Sequence, residues 1–235
     1  MLPIVVLAGG LATRLYPVTK RIPKSLININ NSPFVLHQLT LFERNYIDHI
    51  HFCLGYLGEI IKDVVEKSTF AKTMMITYSF DGDKLQGTGG AIKKALPALP
   101  DAFFVTYGDS YLDIPYESVE SKFMESVDDN CGLMTVFKNS NKFDVSNVIY
   151  ENNKIILYSK KQPDKKMEYI DYGLGILRKN HFDPYPENTP FDLSEIYENL
   201  SLNGELIGYE LHERFYEIGS VKGIEDLSHY LIKKK

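Results

Sequence analysis

The sequence of 235 residues holds two cysteines, Cys53 and Cys131, set far apart and matching no metal-ligand spacing. That excludes a disulfide framework and points to buried free thiols in a reducing, cytoplasmic setting. No apolar run is long enough to span a bilayer. The N-terminus lacks the basic stretch and long apolar segment of a signal peptide. Basic charge is also short: 26 Lys and Arg stand against 31 Asp and Glu, for a net charge of −5 and a pI near 5.7. A chain so balanced is not built for nucleic acid or an anionic membrane. The closing Lys233-Lys234-Lys235 reads as the solvated end of a helix, because three lysines are too few to anchor to lipid. Internal repeats, low-complexity linkers and a hexapeptide β-helix are missing. So are Ser-His-Asp and Cys-His arrangements. His49 and His51 alternate onto one strand face with nothing beside them to complete a metal site. No feature speaks to oligomeric state.

What is there is ordinary in amount and unusual in placement. Hydrophobic residues make up 44% and charged residues 24%, which excludes a disordered chain. The length suffices for one α/β domain with a sizeable core. Its organising stretch is Leu7-Ala8-Gly9-Gly10-Leu11-Ala12-Thr13-Arg14, followed by Pro23-Lys24. An apolar run over residues 3–8 stops at two glycines, as a buried strand entering a loop does. Gly9 and Gly10 can take positive φ and bring backbone N–H groups against an anion. Thr13, Arg14 and Lys24 add a hydroxyl and two cations. The combination reads as a polyphosphate cradle; the alternative is a plain glycine turn. It is not a P-loop, since no Gly-Lys-Ser/Thr follows. It is not a dinucleotide fingerprint either, since the third glycine is missing.

The rest of the chain supplies the frame. Extended segments are expected at residues 3–8, 25–29, 50–54, 73–78 and 102–106. Helices are expected from Pro33 with Val35, Leu39, Phe42 and Tyr46 on one face, at 59–67, and from Ala91 onward. Residues 79–90 read as a Gly- and Asp-rich loop. Alternating strands and helices predict a Rossmann-like, mostly parallel central sheet flanked by helices, with ligands at the carboxyl ends of its strands. Beyond residue 112 the pattern changes. Strands at 131–137, 148–150, 154–158 and 169–177 lack long crossover helices, which predicts an antiparallel lobe. A helix at 192–200, a strand at 205–211 and a helix at 221–232 close the chain. The expectation is a single domain over residues 1–235, with residues 1–112 mainly binding nucleotide and 113–235 forming mainly the sugar-binding lobe and closing helix.

Ala8-Gly9-Gly10-x-x-Thr13-Arg14-Leu15-x-Pro17-x-Thr19, then Pro23-Lys24, resembles the signature of the sugar-1-phosphate nucleotidylyltransferases, also called nucleotide-sugar pyrophosphorylases. The family pattern has Gly where this chain has Ala12. Leu85-Gln86-Gly87-Thr88-Gly89-Gly90 is similar to the base-side segment of heptose- and mannose-1-phosphate guanylyltransferases. Gly108-Asp109 resembles the family's Gly-Asp after a central strand. Asp171-Tyr172-Gly173 resembles its sugar-lining Asn-Ala-Gly, and Tyr216-Glu217-Ile218-Gly219-Ser220 its closing Trp-x-Asp-Ile-Gly-Thr. In outline the chain is also similar to N-acetylmuramate-1-phosphate uridylyltransferases.

The resemblance implies nucleotidyl transfer from an NTP to a sugar 1-phosphate, giving an NDP-sugar for cell-surface polysaccharide or glycan precursors, with GTP favoured over UTP. It implies Arg14, Lys24 and Asp109 as catalytic residues. Leu7, Ala8, Gly9, Gly10, Thr13, Gln86, Gly87 and Thr88 would bind the nucleotide. Mg²⁺ would be held by Asp109 and Glu217, since a triphosphate needs its charge neutralised before an anionic nucleophile approaches. Asp113 stands in reserve as a ligand. Lys160 or Lys161 would steer the sugar phosphate, and Asp171, Gly173 and Glu195 would line the sugar. Asp192 reads as a helix cap, with Glu195 three residues on completing a capping-box-like pair. The alternative function is a catalytically silent homologue that binds a nucleotide sugar as a sensor or scaffold, supported by Ala12, Glu217 and the altered lysine segment.

Overall fold

A computed structural model describes residues 1–126, 130–139, 144–162 and 164–234, with the side chains of Arg14 and Val18 outside the description. In chain order the elements are β1 (Ile4–Ala8), β2 (Asn28–Ile29), β3 (Ser32–Pro33), α1 (Phe34–Arg44), β4 (His49–Leu54), α2 (Gly58–Glu66), β5 (Met75–Phe80) and α3 (Gly87–Ala95). These are followed by β6 (Ala102–Tyr107), β7 (Ser110–Tyr111), α4 (Tyr116–Met124), β8 (Gly132–Lys138), β9 (Val148–Glu151), β10 (Lys154–Tyr158) and β11 (Tyr169–Arg178). The chain ends with α5 (Leu193–Leu202), β12 (Leu206–Leu211), β13 (Tyr216–Glu217) and α6 (Val221–Lys233).

Among the described residues, nine strands form one sheet in the order β5-β4-β1-β6-β11-β8-β12-β10-β9. The first four are parallel. β11 then runs antiparallel to β6, β8 antiparallel to β11, and β12 parallel to β8. The later strands therefore extend the same sheet, and one of their pairings is parallel. The chain steps from β1 outward to β4 and β5, then returns to lay β6 on β1's other edge. That reversal opens a crevice at the carboxyl ends of β1 and β6.

β1 is buried on both faces, and its side chains alternate between two cores, as the two-residue period of a strand requires. Ile4 and Val6 join Val35, Leu39 and Phe42 of α1, Ile61 and Val65 of α2, and Val119 and Phe123 of α4. Val5 and Leu7 join Ala91, Ile92 and Ala95 of α3 and Ile196, Tyr197 and Leu200 of α5. A third cluster seats α6, through Leu227, on Phe34 and Leu41 of α1 and on Tyr111 and Ile218.

Several local expectations are corrected. Asn30 and Asn31 both have positive φ and form the tight turn of a β2–β3 hairpin, so Pro33 ends a strand and the helix begins at Phe34. Tyr46 lies beyond the end of α1, at φ 57 and 83% exposed, and leaves the apolar face to Val35, Leu39 and Phe42. Gly87 to Gly90 open α3 rather than close a loop. α4 was not foreseen. Both cysteines are buried thiols, and burial pushes the Cys53 thiol up to about 12. No described helix is long and apolar enough to cross a membrane.

Candidate active site

A cavity of about 250 Å³ fills the crevice. Its floor is the end of β1, Leu7 and Ala8, running into Gly9 and Gly10. Tyr107, Gly108 and Asp109 leave β6 along one side, and Pro23, Lys24 and Ser25 cover them. Cys53, Asp81, Leu85, Gly87, Thr88 and Ala91 make the other end.

The two glycines of the loop do different work, and neither has the positive φ expected of it. Gly9 is needed for close approach: a Cβ there would sit 3.0 Å from the Gly55 nitrogen, where the ends of β1 and β4 meet. Gly10 has open space around it. The left-handed turn falls instead on Ala12, at φ 51 and ψ 43. The buried Thr19 hydroxyl donates to the Ala12 carbonyl at 2.7 Å and holds that turn. This gives the motif threonine a physical reason.

Lys24 and Asp109 lie 85 positions apart and meet at 2.6 Å, with side chains 20% and 29% exposed. Lys24 is delivered by a short 3₁₀ turn, Lys24–Leu26, after the extended Pro23. Asp109 is delivered by β6. Its loop is held from below by Gln38 on α1, a residue the sequence reading passed over. The Gln38 amide nitrogen donates to the carbonyls of Tyr107 and Ser110, each at 2.9 Å, so it brackets Gly108-Asp109. The side chain is 1% exposed, and two carbonyl partners fix which way the amide points. β13 lies against β7 with Glu217 opposite Ser110, and the Ile218 N–H donates to the Asp109 carbonyl at 3.0 Å. Glu217 is exposed at this rim. Among the described residues no group of three or more His, Cys, Asp or Glu side chains is arranged to hold a metal. Asp109 and Glu217 are the carboxylates that the β7–β13 pairing brings to this rim, and a cation that arrives bound to phosphates needs only one or two from a protein. The reserve ligand Asp113 is committed elsewhere: Arg44, Lys234 and Tyr230 all engage it.

Gly87-Thr88-Gly89 is locked to the start of α5. Gly87 has φ +70, and a Cβ there would come 2.4 Å from the Phe191 carbonyl. The Gly89 N–H donates to that carbonyl at 3.0 Å, and the Leu193 N–H donates to the Thr88 hydroxyl at 2.8 Å. Gln86 and Thr13 lie off the cavity wall; Gln86 turns back to the Lys84 carbonyl. The backbone of Arg14 lies in the 3₁₀ turn Thr13–Leu15, and its side chain lies outside the described residues.

The remaining predicted residues gather beside the cavity rather than in it. β11 has an irregularity between Asp171 and Gly175, where the Gly173 N–H donates to Asp171 Oδ1 at 2.9 Å. Burial raises the Asp171 carboxyl to about 6, although the Gly173 N–H and the Lys160 charge pull it down. Tyr107, on the cavity wall, feels the Asp171 charge, as do Tyr158 and Tyr197. Lys160 pairs with Asp192 and Lys161 with Glu195, each at 3.7 Å. Asp192 does cap α5, accepting from the Ser194 N–H at 2.9 Å. Glu195 faces Lys161 instead of closing a capping box.

Comparison with known proteins bears on the family and the fold. The chain is 27% identical over 229 residues to a D-glycero-alpha-D-manno-heptose 1-phosphate guanylyltransferase of Campylobacter jejuni, covering 97% of this chain and 98% of the relative. It is 25% identical to a mannose-1-phosphate guanylyltransferase catalytic subunit beta of Xenopus tropicalis, over 92% of this chain and 61% of that longer protein. Among solved structures, HddC from Yersinia pseudotuberculosis complexed with GMP-PN superposes with a TM-score of 0.79 at 22% identity, covering 98% of this chain and all of the other. A UDP-glucose pyrophosphorylase complexed with UDP-glucose gives 0.78 at 18% identity, with both chains fully covered. Residues 4–179, from the first residue of β1 to just past β11, match the nucleotidyl transferase family, and the chain belongs to it.

Proposed function

We propose that this nucleotidyl transferase moves the nucleoside monophosphate group of an NTP onto a sugar 1-phosphate, giving an NDP-sugar and pyrophosphate. The observation that carries the reading is the Lys24–Asp109 pair, set beside the open Gly10 backbone at the carboxyl end of β1. One group suits phosphate and the other a phosphate-bound cation. The names of the heptose and mannose relatives support the acceptor class.

In the reaction a phosphate oxygen of the sugar 1-phosphate attacks the α-phosphorus in line. The new O–P bond forms as the bond to the β-phosphate oxygen breaks, and pyrophosphate leaves with that electron pair. The nucleophile is already an anion, so no general base is required, and catalysis is positioning plus charge stabilisation. Lys24 swings from Asp109 to the phosphates, with Gly9 and Gly10 supplying the backbone cradle and Thr13 and Arg14 assigned there from the motif. Asp109, with Glu217, would hold Mg²⁺, which neutralises the triphosphate charge when bound. Gly87 and Thr88 form the base side, while Gln86 is turned away from it. Lys160 or Lys161 meets the sugar phosphate; their long pairs to Asp192 and Glu195 are exposed and cheap to release. Asp171, Gly173 and Glu195 line the sugar.

Pyrophosphate release with Mg²⁺, each NTP and a panel of sugar 1-phosphates tests the proposal. One combination is expected to turn over. Lys24→Met and Asp109→Asn are each expected to lower kcat by about 100-fold or more at an unchanged melting temperature. Silence across the whole panel, or near-normal turnover in both variants, would sink it.

A further inference from the structure

The central sheet ends on two edges, and they are finished differently. At one edge β9 is only Val148–Glu151, and it folds over so that Val148 also pairs with Tyr169 of β11. At the other edge, among the described residues, no strand lies beyond β5. Edges left open are ordinarily blunted by a lysine, a proline, a bulge or a cover. From Thr73 to Phe80 the sequence holds no charged residue and no proline. The register of β5 with β4 is regular from Met75 to Phe80, so there is no bulge. Met75, at the start of this strand, is 62% exposed.

The hydrogen bonds fix which groups are free. The Met75 N–H donates to the Asp48 carbonyl, and the Asp81 N–H donates to the Leu54 carbonyl. By the two-residue period of a strand, residues 75, 77, 79 and 81 turn their main chain toward β4. Ile76, Tyr78 and Phe80 therefore turn N–H and C=O outward. This run is closed at both ends. The Met74 N–H is taken by the Phe70 carbonyl, and Gly82, at φ 86, turns the chain away.

Such a run is its own complement. In an antiparallel pair about a two-fold axis at Tyr78, Tyr78 meets the partner's Tyr78 and Ile76 meets the partner's Phe80. These are the pairs that exchange both N–H···O bonds. On that face the side chains are apolar or aromatic and already half-buried against the core. On the other face Thr77 meets the partner's Ser79. A slip of two residues in either direction would bring the spent Met74 N–H or the turning Gly82 into the ladder.

We infer that β5 is the interface of a homodimer, in which two sheets join edge to edge, antiparallel, about Tyr78. The occupant is a second copy of this chain. Any extended peptide could make the main-chain bonds, but a second copy also sets Ile76 against Phe80 twice and places no charge in the ladder. The register puts Met75 opposite the partner's Asp81. It also sets each Gly82–Leu85 loop, which leads into the cavity wall at Leu85, beside the start of the partner's β5.

Sedimentation of the whole protein tests this, and it is expected to show a species of twice 26.9 kDa in the micromolar range. Met75→Asp sets like charges opposite each other at two symmetric places and is expected to weaken the dimer at least about 10-fold. Met75→Lys, with the opposite sign, is expected to keep it. Both are expected to melt as the wild type does, since this side chain is largely outside the core. Mild oxidation reads the register. Tyr78→Cys brings its two copies to a Cα separation of about 5.5 Å, within disulfide reach, and is expected to cross-link. Ile76→Cys leaves its copies offset by four residues, about 14 Å, and is expected not to. A monomer throughout the micromolar range, a dimer that Met75→Asp leaves intact, or cross-linking of Ile76→Cys as readily as Tyr78→Cys would overturn the inference.

Discussion

Ala12 shows how much one position can reveal. An L-residue in the left-handed region costs roughly 1–2 kcal/mol, part of which glycine returns as lost chain entropy. Ala12→Gly is therefore expected to stabilise the protein by about 0.5–1 kcal/mol, read as a higher urea midpoint at constant slope. A lower midpoint would mean the turn is not strained. The sequence marked Ala12 as the departure from the family pattern, but it placed the positive φ on Gly9 and Gly10. Asp171 gives a second test at this scale. Its folded pKa, about 6, stands above the unfolded value of about 3.9. Its stabilising contribution is thus complete below about pH 4 and is lost as pH rises through about 6. Asp171→Asn cannot ionise, so it is expected to be more stable than wild type at pH 8 by on the order of 1 kcal/mol, with no gain at pH 4. Parallel denaturation curves at both pH values would contradict this.

Among the elements, α1 does more than cover the sheet. It carries Gln38 to the underside of the Asp109 loop, and both ends of that loop hang on one amide. Gln38→Met keeps length and burial but removes the donors. It is expected to lower kcat about 10-fold or more while the KM for NTP changes little, because the loop still forms but Asp109 wanders. Gln38→Glu, which puts an acceptor against two carbonyls, is expected to be worse. A Met variant with normal kcat would reduce Gln38 to a packing role. Sequence periodicity found most elements because β1, β4 and β6 are short apolar runs and α1, α5 and α6 have clear apolar faces. It missed α4, whose Tyr116, Val119 and Phe123 are separated by Glu117, Ser118, Glu120 and Ser121 and give too narrow a stripe. It read Gly87 to Gly90 as loop because glycine is a poor helix former. Packing against Phe191 decides the matter there, since only a bare backbone fits.

Over the whole molecule, the parts hardest to read are those that meet from afar. The cradle loop was legible because its residues are contiguous. The Lys24–Asp109 contact, the Asp81 end of the cavity and the α3–α5 lock depend on strand order, which no local pattern encodes. Asp113 is the same kind of feature. Arg44 from α1 and Tyr230 and Lys234 from the end of the chain converge on it. Burial pushes its carboxyl up, but the Lys234 and Tyr230 hydrogen bonds and the Arg44 charge outweigh that and leave it below the ordinary value. Its contribution is then present above about pH 4 and lost as pH falls through the depressed folded value. Asp113→Asn is expected to cost about 1–2 kcal/mol at pH 7 and to flatten the acid limb of the stability curve. An unchanged stability at pH 7 would show that the Asp113 contacts contribute nothing to holding α6, leaving its apolar contacts and the Asn30–Ser228 hydrogen bonds to do so.

The placement of β6 also bears on how the chain comes to be folded at all. Its first neighbour, β1, is made before it. Its second, β11, is made long after: Thr106 and Gly173, bonded across that pair, are 67 positions apart. At about 5–20 residues per second, a ribosome needs roughly 3 to 13 seconds to cover that stretch. A nascent chain that has already paired its first four parallel strands in that interval would carry a newest strand, Ala102–Tyr107, whose almost wholly apolar side chains flank one unpaired backbone edge. Bare edges recruit other chains. The hazard in making this protein is therefore a matter of timing, greatest when two ribosomes on one message bring such edges side by side.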